Sequence, residues 1–524
     1  MKKKGRKGVL IAALIWIFVL GILALIYKLL IHPHVQDSLT SSTGSESRYK
    51  QTVGIAADAF SGYAVLRSEA MSSLLRADGI KLVVEDDQAD YVARIKALRD
   101  RDIQMAVYTI DALLTAGAEI GEFPASVVMV IDETVGADAM VGYKDGLPSL
   151  QALDDPEARI VATPSSPSEF LARTVIATLS LPSLPSMWLV EADGAGDVYK
   201  KFKAADARER KYAYVLWEPY VSKALEEKDA HVLLDSSKMK GYIVDVLVAE
   251  REFLRDHRDL VKKVVEAYSR AAFSYSQRPG GMVELVREDA KAGGEPLSQE
   301  EAKKLVDGIR WKNMLENYGH MGIVPAGGTG GVQHLEDIIP KIADVLVRTG
   351  ALRSNPVEDA AHTLFFKGIL VDLHSEGFHP GKKLAILEGI GPGTDDLSAA
   401  RVDAELPPLS DEQWEKLTTV GAMRVESITF RRGTAKISAL SESELSALAR
   451  NFNSWPNYYM RIIGQARAEG NAAANRQLAQ DRAEVTRAFL IEEGVAAHRL
   501  RAAVATPTRG AKSGTAFVLG QRPY

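Results

Sequence analysis

Few residues of this chain could do chemistry, and none is spaced for catalysis. None of the 524 residues is cysteine, so thiol nucleophiles, disulfides and thiolate metal ligands are excluded together. The ten histidines are scattered without metal-ligand spacing. No G-x-S-x-G, H-E-x-x-H or P-loop pattern occurs, and each of those reactions needs its groups at that spacing. Gly327–Gly331 (GGTGG) and Gly389–Asp396 (GIGPGTDD) are glycine-rich, but neither follows a strand and opens a helix, so both read as loops. What remains suits reversible binding: hydroxyls and backbone N–H groups where strands give way to helices. The chain reads as a non-enzyme without cofactor or metal.

The framework that must position such groups is α/β. A chain of 524 residues implies two or three domains. Hydrophobic content of 46% with 25% charged residues is that of folded globular protein. The formal net charge of −5 leaves no basic field to neutralise phosphates, which argues against a nucleic-acid binder. From Thr52, short apolar runs alternate with helical patterns. TVGIAADAF, KLVVEDD, QMAVYTI and SVVMVIDE read as strands, with a helix over about 61–76 and YVARIKALRD and DALLTAGAEI as further helices. ARIVATP, YAYVLWEP and HVLLDSS continue the strands. DLVKKVVEAYSRAAFSYS is an amphipathic helix with Leu260, Val264, Val265 and Tyr268 on its apolar face.

Several stretches go beyond that pattern. Val127–Gly142 (VVMVIDETVGADAMVG) is followed by Leu150, Leu153, a strand ending at Ser165-Ser166-Pro167-Ser168, and Val215–Tyr220 (VLWEPY). In this order they resemble periplasmic solute-binding proteins of the nitrate/sulfonate/taurine class, over about 50–280 and fading towards 350. The resemblance implies a two-lobed α/β fold over 51–350, with hinge segments near Asp132–Gly142 and Asp235–Val246. Ligand would sit in the cleft, at strand ends and helix starts, where free N–H groups and the positive end of the helix dipole suit a small organic anion such as a sulfonate, carboxylate or phosphonate. The candidates are Ser61, Gly62 and Tyr63, then Tyr108 and Thr109, Thr134, Ser165, Ser166 and Ser168, and Trp217 with Glu218. Each has a plainer alternative: Ser61 and Ser168 suit simple N-caps, Trp217 suits lobe core, and Asp132 and Asp138 suit hinge or turn geometry.

Ahead of this domain, Met1–Gly8 holds Lys2, Lys3, Lys4, Arg6 and Lys7 and no acid. Val9–Tyr27 is an uncharged run long enough for a helix of roughly 28 Å, about the hydrocarbon thickness of a bilayer. The expectation is a basic tail over 1–8, a transmembrane anchor over 9–31 and a Ser/Thr-rich tether over 32–50. The basic flank places the N-terminus in the cytoplasm and the bulk in the periplasm. The run is long for a cleaved signal peptide, and no small-x-small site follows it.

Residues 351–420 read as a connector, with Leu364–Phe366 and Ile369–Val371 packing on a neighbouring domain and Ser410 capping a short helix. In 421–524, VESITFRRGTAKIS reads as the first strand. Ser441 and Glu444 make a capping box for a helix with Leu445, Leu448 and Phe452 on one face. The stretch from Gly464 has Gly470, Asn475, Leu478, Arg482 and Ala483 in the spacing G-H-T-D-x-x-G-x-x-x-x-N-x-x-L-S-x-x-R-A. Its helix takes Leu478, Val485 and Phe489 as its buried face. This domain resembles the OmpA-like family, which implies a β-α-β-α-β-β fold that holds peptidoglycan through diaminopimelate. In that family the aspartate takes the ligand's ammonium and the arginine a carboxylate. Here Arg482 matches the arginine, but Arg467 stands at the aspartate, after Gln465 and Ala466. Glu469 offers a substitute acid. Peptidoglycan through Arg482, backbone amides and Glu469, an anion, or a protein contact are the three outcomes, against Arg482 as a mere helix-surface charge.

The sequence therefore supports two readings. One is a binding protein at the inner membrane that captures a solute and touches the wall. The other is a scaffold whose cleft and wall site serve contacts with envelope proteins. An ABC permease is the partner the resemblance implies, though no permease contact is legible in the residues.

Overall fold

The computed structural model describes residues 49–325, 332–358, 360–382, 406–465, 470–506 and 514–522. The expected membrane segment, both glycine-rich loops, Arg467 and Glu469 lie outside these. Among the described residues no helix is long and apolar enough to cross a membrane.

Unbroken apolar runs become strands buried on both faces. In chain order the strands are β1 (Gln51–Ala57), β2 (Ile80–Asp86), β3 (Met105–Thr109), β4 (Ala125–Thr134), β5 (Asp138–Tyr143), β6 (Ile160–Ala162), β7 (Leu189–Glu191) and β8 (Ala213–Trp217). Then come β9 (Ala230–Asp235), β10 (Val244–Glu250), β11 (Ile309–Trp311), β12 (Thr418–Ala422), β13 (Tyr459–Gly464), β14 (Leu500–Val504) and β15 (Thr515–Gln521). Every residue of β3, β4 and β10 is buried. Three sheets result, ordered β11-β4-β10-β3-β1-β2, β7-β6-β8-β5-β9 and β12-β15-β13-β14.

The first two sheets are the floors of two lobes. The chain leaves lobe 1 after β4, builds lobe 2 from β5 to β9, and returns at β10, so the crossings fall at Val135–Ala137 and Ser236–Ile243. They are tied to each other and to lobe 1: the Thr134 N–H donates to Ile243 O (3.1 Å), Val135 N–H to Gly308 O (2.8 Å), and Gly136 N–H to Ser236 Oγ (2.7 Å). Under them lies a buried ion pair. Glu133 accepts from Lys312 Nζ at 2.6 Å and from the Gly241 N–H of the second crossing at 2.5 Å. The helix Leu335–Arg348 packs on Ile110–Ile120 of lobe 1 and on Pro167–Thr178 of lobe 2, and so braces both lobes. Beyond it, Leu364, Ile369, Leu370 and Leu373 are buried, and Phe366 N–H bonds Val127 O of β4.

The third domain lays helices Ala439–Asn453 and Ala472–Glu492 on its sheet. Ser410 caps a short helix with Gln413 in a full capping box, as expected. Four expectations are corrected. The helix expected over 61–76 breaks at Ser68, whose extended backbone starts a new helix at Glu69. The first strand of the C-terminal domain is β12, upstream of VESITFRRGTAKIS, which forms a loop joined by a single Phe430–Ile437 bridge. The cap of the next helix is Ser438, since Ser441 is buried and its hydroxyl accepts from Thr429 N–H. In the long helix the buried face is Ala479, Arg482, Ala483, Thr486 and Leu490, whereas Val485 is exposed. Its small residues allow close approach: a Cβ on Gly464 would collide with the Ala479 carbonyl.

This domain seats on lobe 2 and on the second crossing. Ser180 N–H donates to Ala422 O (2.8 Å), Arg424 N–H to Thr178 O (2.7 Å) and Lys240 N–H to Ser454 O (2.8 Å). Asn457 Nδ2 donates to Ser237 O (2.9 Å), and Tyr242 meets the edge of Trp455.

Removing Lys312 would strand a buried carboxylate, a change that typically costs about 3–5 kcal/mol. Lys312→Met is therefore expected to lower the denaturant midpoint of the two-lobed part strongly. Lys303→Met, which removes the exposed pair with Asp307, is expected to cost at most about 1 kcal/mol. Equal shifts in a urea titration would refute the central role given to the buried pair.

Candidate ligand cleft and wall site

The sheet edge of lobe 1 that faces the crossings is built from strand ends. In register there, Trp311 of β11 lies opposite Asp132 of β4, Asp132 opposite Asp245 of β10, and Asp245 opposite Thr109 of β3. Directly opposed residues present their side chains to one face, so two carboxylates come together at the carboxyl ends of β1 and β3. That is where ligands settle in open α/β sheets. The turn after β1 covers them: Tyr63 Oη donates to Asp245 Oδ1, and Trp311 Nε1 donates to Gly62 O at 2.9 Å. Gly62 is required there, because a Cβ would strike Asp132 and the Phe60 ring.

The resulting floor is dry. Asp132 is 0% exposed, Asp245 1% and Tyr63 1%. Both Asp132 oxygens, the second Asp245 oxygen and the Tyr268 hydroxyl meet no protein donor or acceptor, apart from the proton the two carboxyls can share. Burial pushes Asp132 up to about 7, although Lys312 draws it down; that ammonium is already bonded to Glu133. Burial, and then the Asp132 charge, raise Asp245 well above the carboxylate range. Nearby Asp58 is compensated by Arg94 at 3.3 Å. On the same rim Asp111 is raised by burial to about 7.

The structure distributes the expected cleft residues unevenly. Gly62 and Tyr63 lie against the floor, and Ser61 is half-buried in the same covering turn. Tyr108 is core: its hydroxyl donates to Tyr91 O at 3.2 Å, and its ring lies under the Arg94 guanidinium. Thr109 is buried beside Asp111. Thr134 is the last residue of β4, and its N–H donates to Ile243 O of the second crossing. In lobe 2, Ser166 and not Ser168 is the N-cap of Pro167–Thr178, and in lobe 1 Ser61 is the first residue of a 3-10 turn whose N-cap is Phe60, without a side-chain cap bond. Ser168 instead donates to Asp138 at 3.0 Å and ties that helix to β5; burial raises Asp138 to about 6. Ser165 is exposed at φ +55° and its N–H bonds Glu169. Trp217 and Glu218 are half-buried, and Glu218 holds the Ser222 hydroxyl at 2.9 Å. Asp132, Asp245, Tyr268 and Trp311 were not expected as cleft groups; the signal for the first two was an acid inside an apolar strand run.

In the C-terminal domain Gly464 ends β13, and Asn475 is half-buried on the first turns of the long helix. Arg482 is 7% exposed. It donates from Nε to Thr434 O at 3.0 Å and lies over the Phe430 ring. That removes the reading of Arg482 as a surface charge. A separate groove of about 220 Å³ opens where this domain meets the two-lobed part, lined by Thr178, Tyr242, Lys341, Arg348, Arg424 and Glu444 among others.

The acid pair has a consequence for pH. A carboxyl raised in the fold above its unfolded value of about 4 contributes stability at low pH. That contribution is lost as pH rises through the folded value. The titratable and charged groups near enough to act on Asp132 are Asp58, Glu133, Tyr63, Asp245, Tyr268 and Lys312. Of the other shifted groups in the two-lobed part, Asp111, Asp138 and Lys341 titrate near neutrality in any variant. The gain in melting temperature of Asp132→Asn over the unaltered chain is therefore expected to grow from pH 5 to pH 8. A constant difference across that range would show that Asp132 titrates ordinarily.

Among curated proteins no relative of the sequence is found. Among solved structures, the periplasmic aliphatic sulphonate binding protein SsuA from Escherichia coli aligns at TM-score 0.44 and 16% identity, over 60% of this chain and 92% of that one. The nitrate-binding protein NrtA from Synechocystis PCC 6803 aligns at 0.43 and 10%, over 62% and 88%. The ligand binding component of an ABC-type import system from Staphylococcus aureus aligns at 0.42 and 15%, over 62% and 99%. For the C-terminal domain the match is of sequence: residues 429–516 match the model of the OmpA family.

Proposed function

We propose that this chain is a binding protein of the cell envelope, which captures a small solute between its two lobes and contacts the wall through its C-terminal domain. The observation that carries it is the pairing of a two-crossing, two-lobed domain with a C-terminal domain matched to the OmpA family. The buried carboxyls at the strand ends are the polar groups a solute held between the lobes would meet once the covering turn moves. The uncharged run over 9–31, with its basic flank, supports an inner-membrane anchor and a periplasmic bulk. The expectation of an anionic solute gains nothing from that floor, whose uncompensated groups are carboxyls. The scaffold reading has one observation in its favour: the floor is fully covered by the Ser61–Tyr63 turn and Trp311.

At the wall site, the buried Arg482 is the group that would meet a diaminopimelate carboxylate, and Arg467 the group that opposes its ammonium. Pull-down of the chain on purified sacculi is expected to show weak binding, lost in Arg482→Ala and strengthened in Arg467→Asp, which restores the opposite charge. Unaltered binding equal to that of Arg467→Asp would mean that another acid serves the ammonium. Binding by none of the three would make the domain a protein-contact module.

A reporter fused after Tyr524 is expected to be active only in the periplasm. Recovery of the chain as a soluble periplasmic protein starting near residue 35–45 would refute the anchor.

A further inference from the structure

We propose that the cleft takes a small organic cation, an amine or amidine, whose N–H groups bond Asp132 and Asp245 beneath the Ser61–Tyr63 turn and Trp311. The inference rests on the solute-binding reading and names the chemical class of the solute.

The geometry requires a donor that the protein does not supply. Two carboxyls stand in register on β4 and β10, at the strand ends where the two lobes join. Three of their four oxygens meet no protein donor apart from the one proton the two carboxyls can share, and Tyr63 satisfies the fourth. Among the described residues no Lys, Arg or His forms an ion pair with Asp132 or Asp245, since Lys312 is spent on Glu133 and Arg94 on Asp58 and Asp87. The Tyr268 hydroxyl, close enough to both acids to feel their charge, is likewise buried without a partner. Buried polar groups are ordinarily satisfied, and a cluster left open marks a missing partner. An anion would meet like charge here. A cation carrying two or more N–H donors answers all three carboxylate oxygens and leaves the hydroxyl a role.

Its body has matching surroundings. Tyr63 and the Trp311 indole tie the turn over the acids, and Phe60 packs edge-on against Tyr63, so the surroundings a bound cation would meet are aromatic. A metal ion is the poorer fit, because among the described residues no three His, Asp or Glu side chains converge as ligands.

The test is a thermal-shift and calorimetric comparison on the full chain. Benzamidine and phenethylamine serve as cationic probes, with benzenesulfonate and methanesulfonate as anionic ones. The cationic probes are expected to raise the melting temperature and the sulfonates to leave it unchanged. Asp132→Asn and Asp245→Asn are each expected to weaken benzamidine binding by about tenfold or more. Asp132→Asn should also melt higher than the unaltered chain without probe, because it relieves a destabilised site. A lower melting point for Asp132→Asn would mean that the acid has a structural hydrogen-bonding role, and would overturn the proposal. Stabilisation by sulfonates alone overturns the cation and leaves the solute-binding reading standing. Stabilisation by neither set overturns both.

Discussion

The two-lobed domain depends on one buried ion pair. Glu133 ends β4, Lys312 follows β11, and Gly241 lies in the second crossing; the Glu133 carboxylate bonds the last two. Burial alone would push that carboxyl up. Lys312, the Gly241 N–H and the field of His320 outweigh it and hold it down at about 2. The pair is 3% and 4% exposed. In so dry a place neither charge tolerates the loss of the other. A strand of lobe 1, its edge strand and the return crossing are therefore fixed to one another. Lys341, on the helix that braces both lobes, donates to the Lys240 carbonyl beside it at 2.8 Å and extends the tie.

One residue earlier on the same strand, the logic inverts. Asp132 is as buried as Glu133 yet receives no ammonium and no backbone N–H. Alternation along a strand sends the two side chains to opposite faces: Glu133 faces the crossing, Asp132 the cleft. On one face the acid is paired and stabilises the fold; on the other it is left open beside a second acid. Folds generally carry such unfavourable groups at functional sites and compensate for them elsewhere. The fixed pair behind it keeps β4 in place while Asp132 waits uncompensated.

Much of this was legible in the sequence. Apolar runs such as VVMVIDET marked the strands, and the two crossings fall inside the segments expected to hinge. The acid pair was not legible. Asp132 and Asp245 lie far apart in the chain, and only the antiparallel register of β4 with β10 brings them opposite; a one-residue slip would have turned either to the other face. The C-terminal helix shows a related failure. The spacing of its signature placed Arg482 correctly, but the choice of Leu478, Val485 and Phe489 as the buried face assumed that large apolar side chains face the sheet; Leu478 and Phe489 are half-buried and Val485 is exposed. Close approach at Gly464 instead admits only small residues, with Ala479 and Ala483 inward. Arg482 is buried with them because Phe430 and the Thr434 carbonyl receive its guanidinium. At Ser441 the capping pattern was misleading, since that hydroxyl is taken by Thr429 and the neighbouring Ser438 caps the helix.

The position of the C-terminal domain follows from the same crossing. Its bonds go to Ser237 and Lys240 on the crossing, and to Thr178 and Ser180 at the end of a lobe 2 helix. Lobe 2 cannot rotate about the crossings without either carrying this domain along or breaking those bonds. Three of the bonds are backbone to backbone; the rest are side-chain bonds, from Asn457 to Ser237, from Ala422 N–H to Gln151, and from Gln333 and Lys341 to Ser454, and each contributes about 1 kcal/mol net. A seat of this strength holds the domain in one orientation, yet is within the range that a solute's differential affinity for two lobe positions can overcome. The C-terminal domain and the two lobes thus share a mechanical element, the Ser236–Ile243 segment, whose inner side is fixed by Glu133 and whose outer side is held by Ser454 and Asn457.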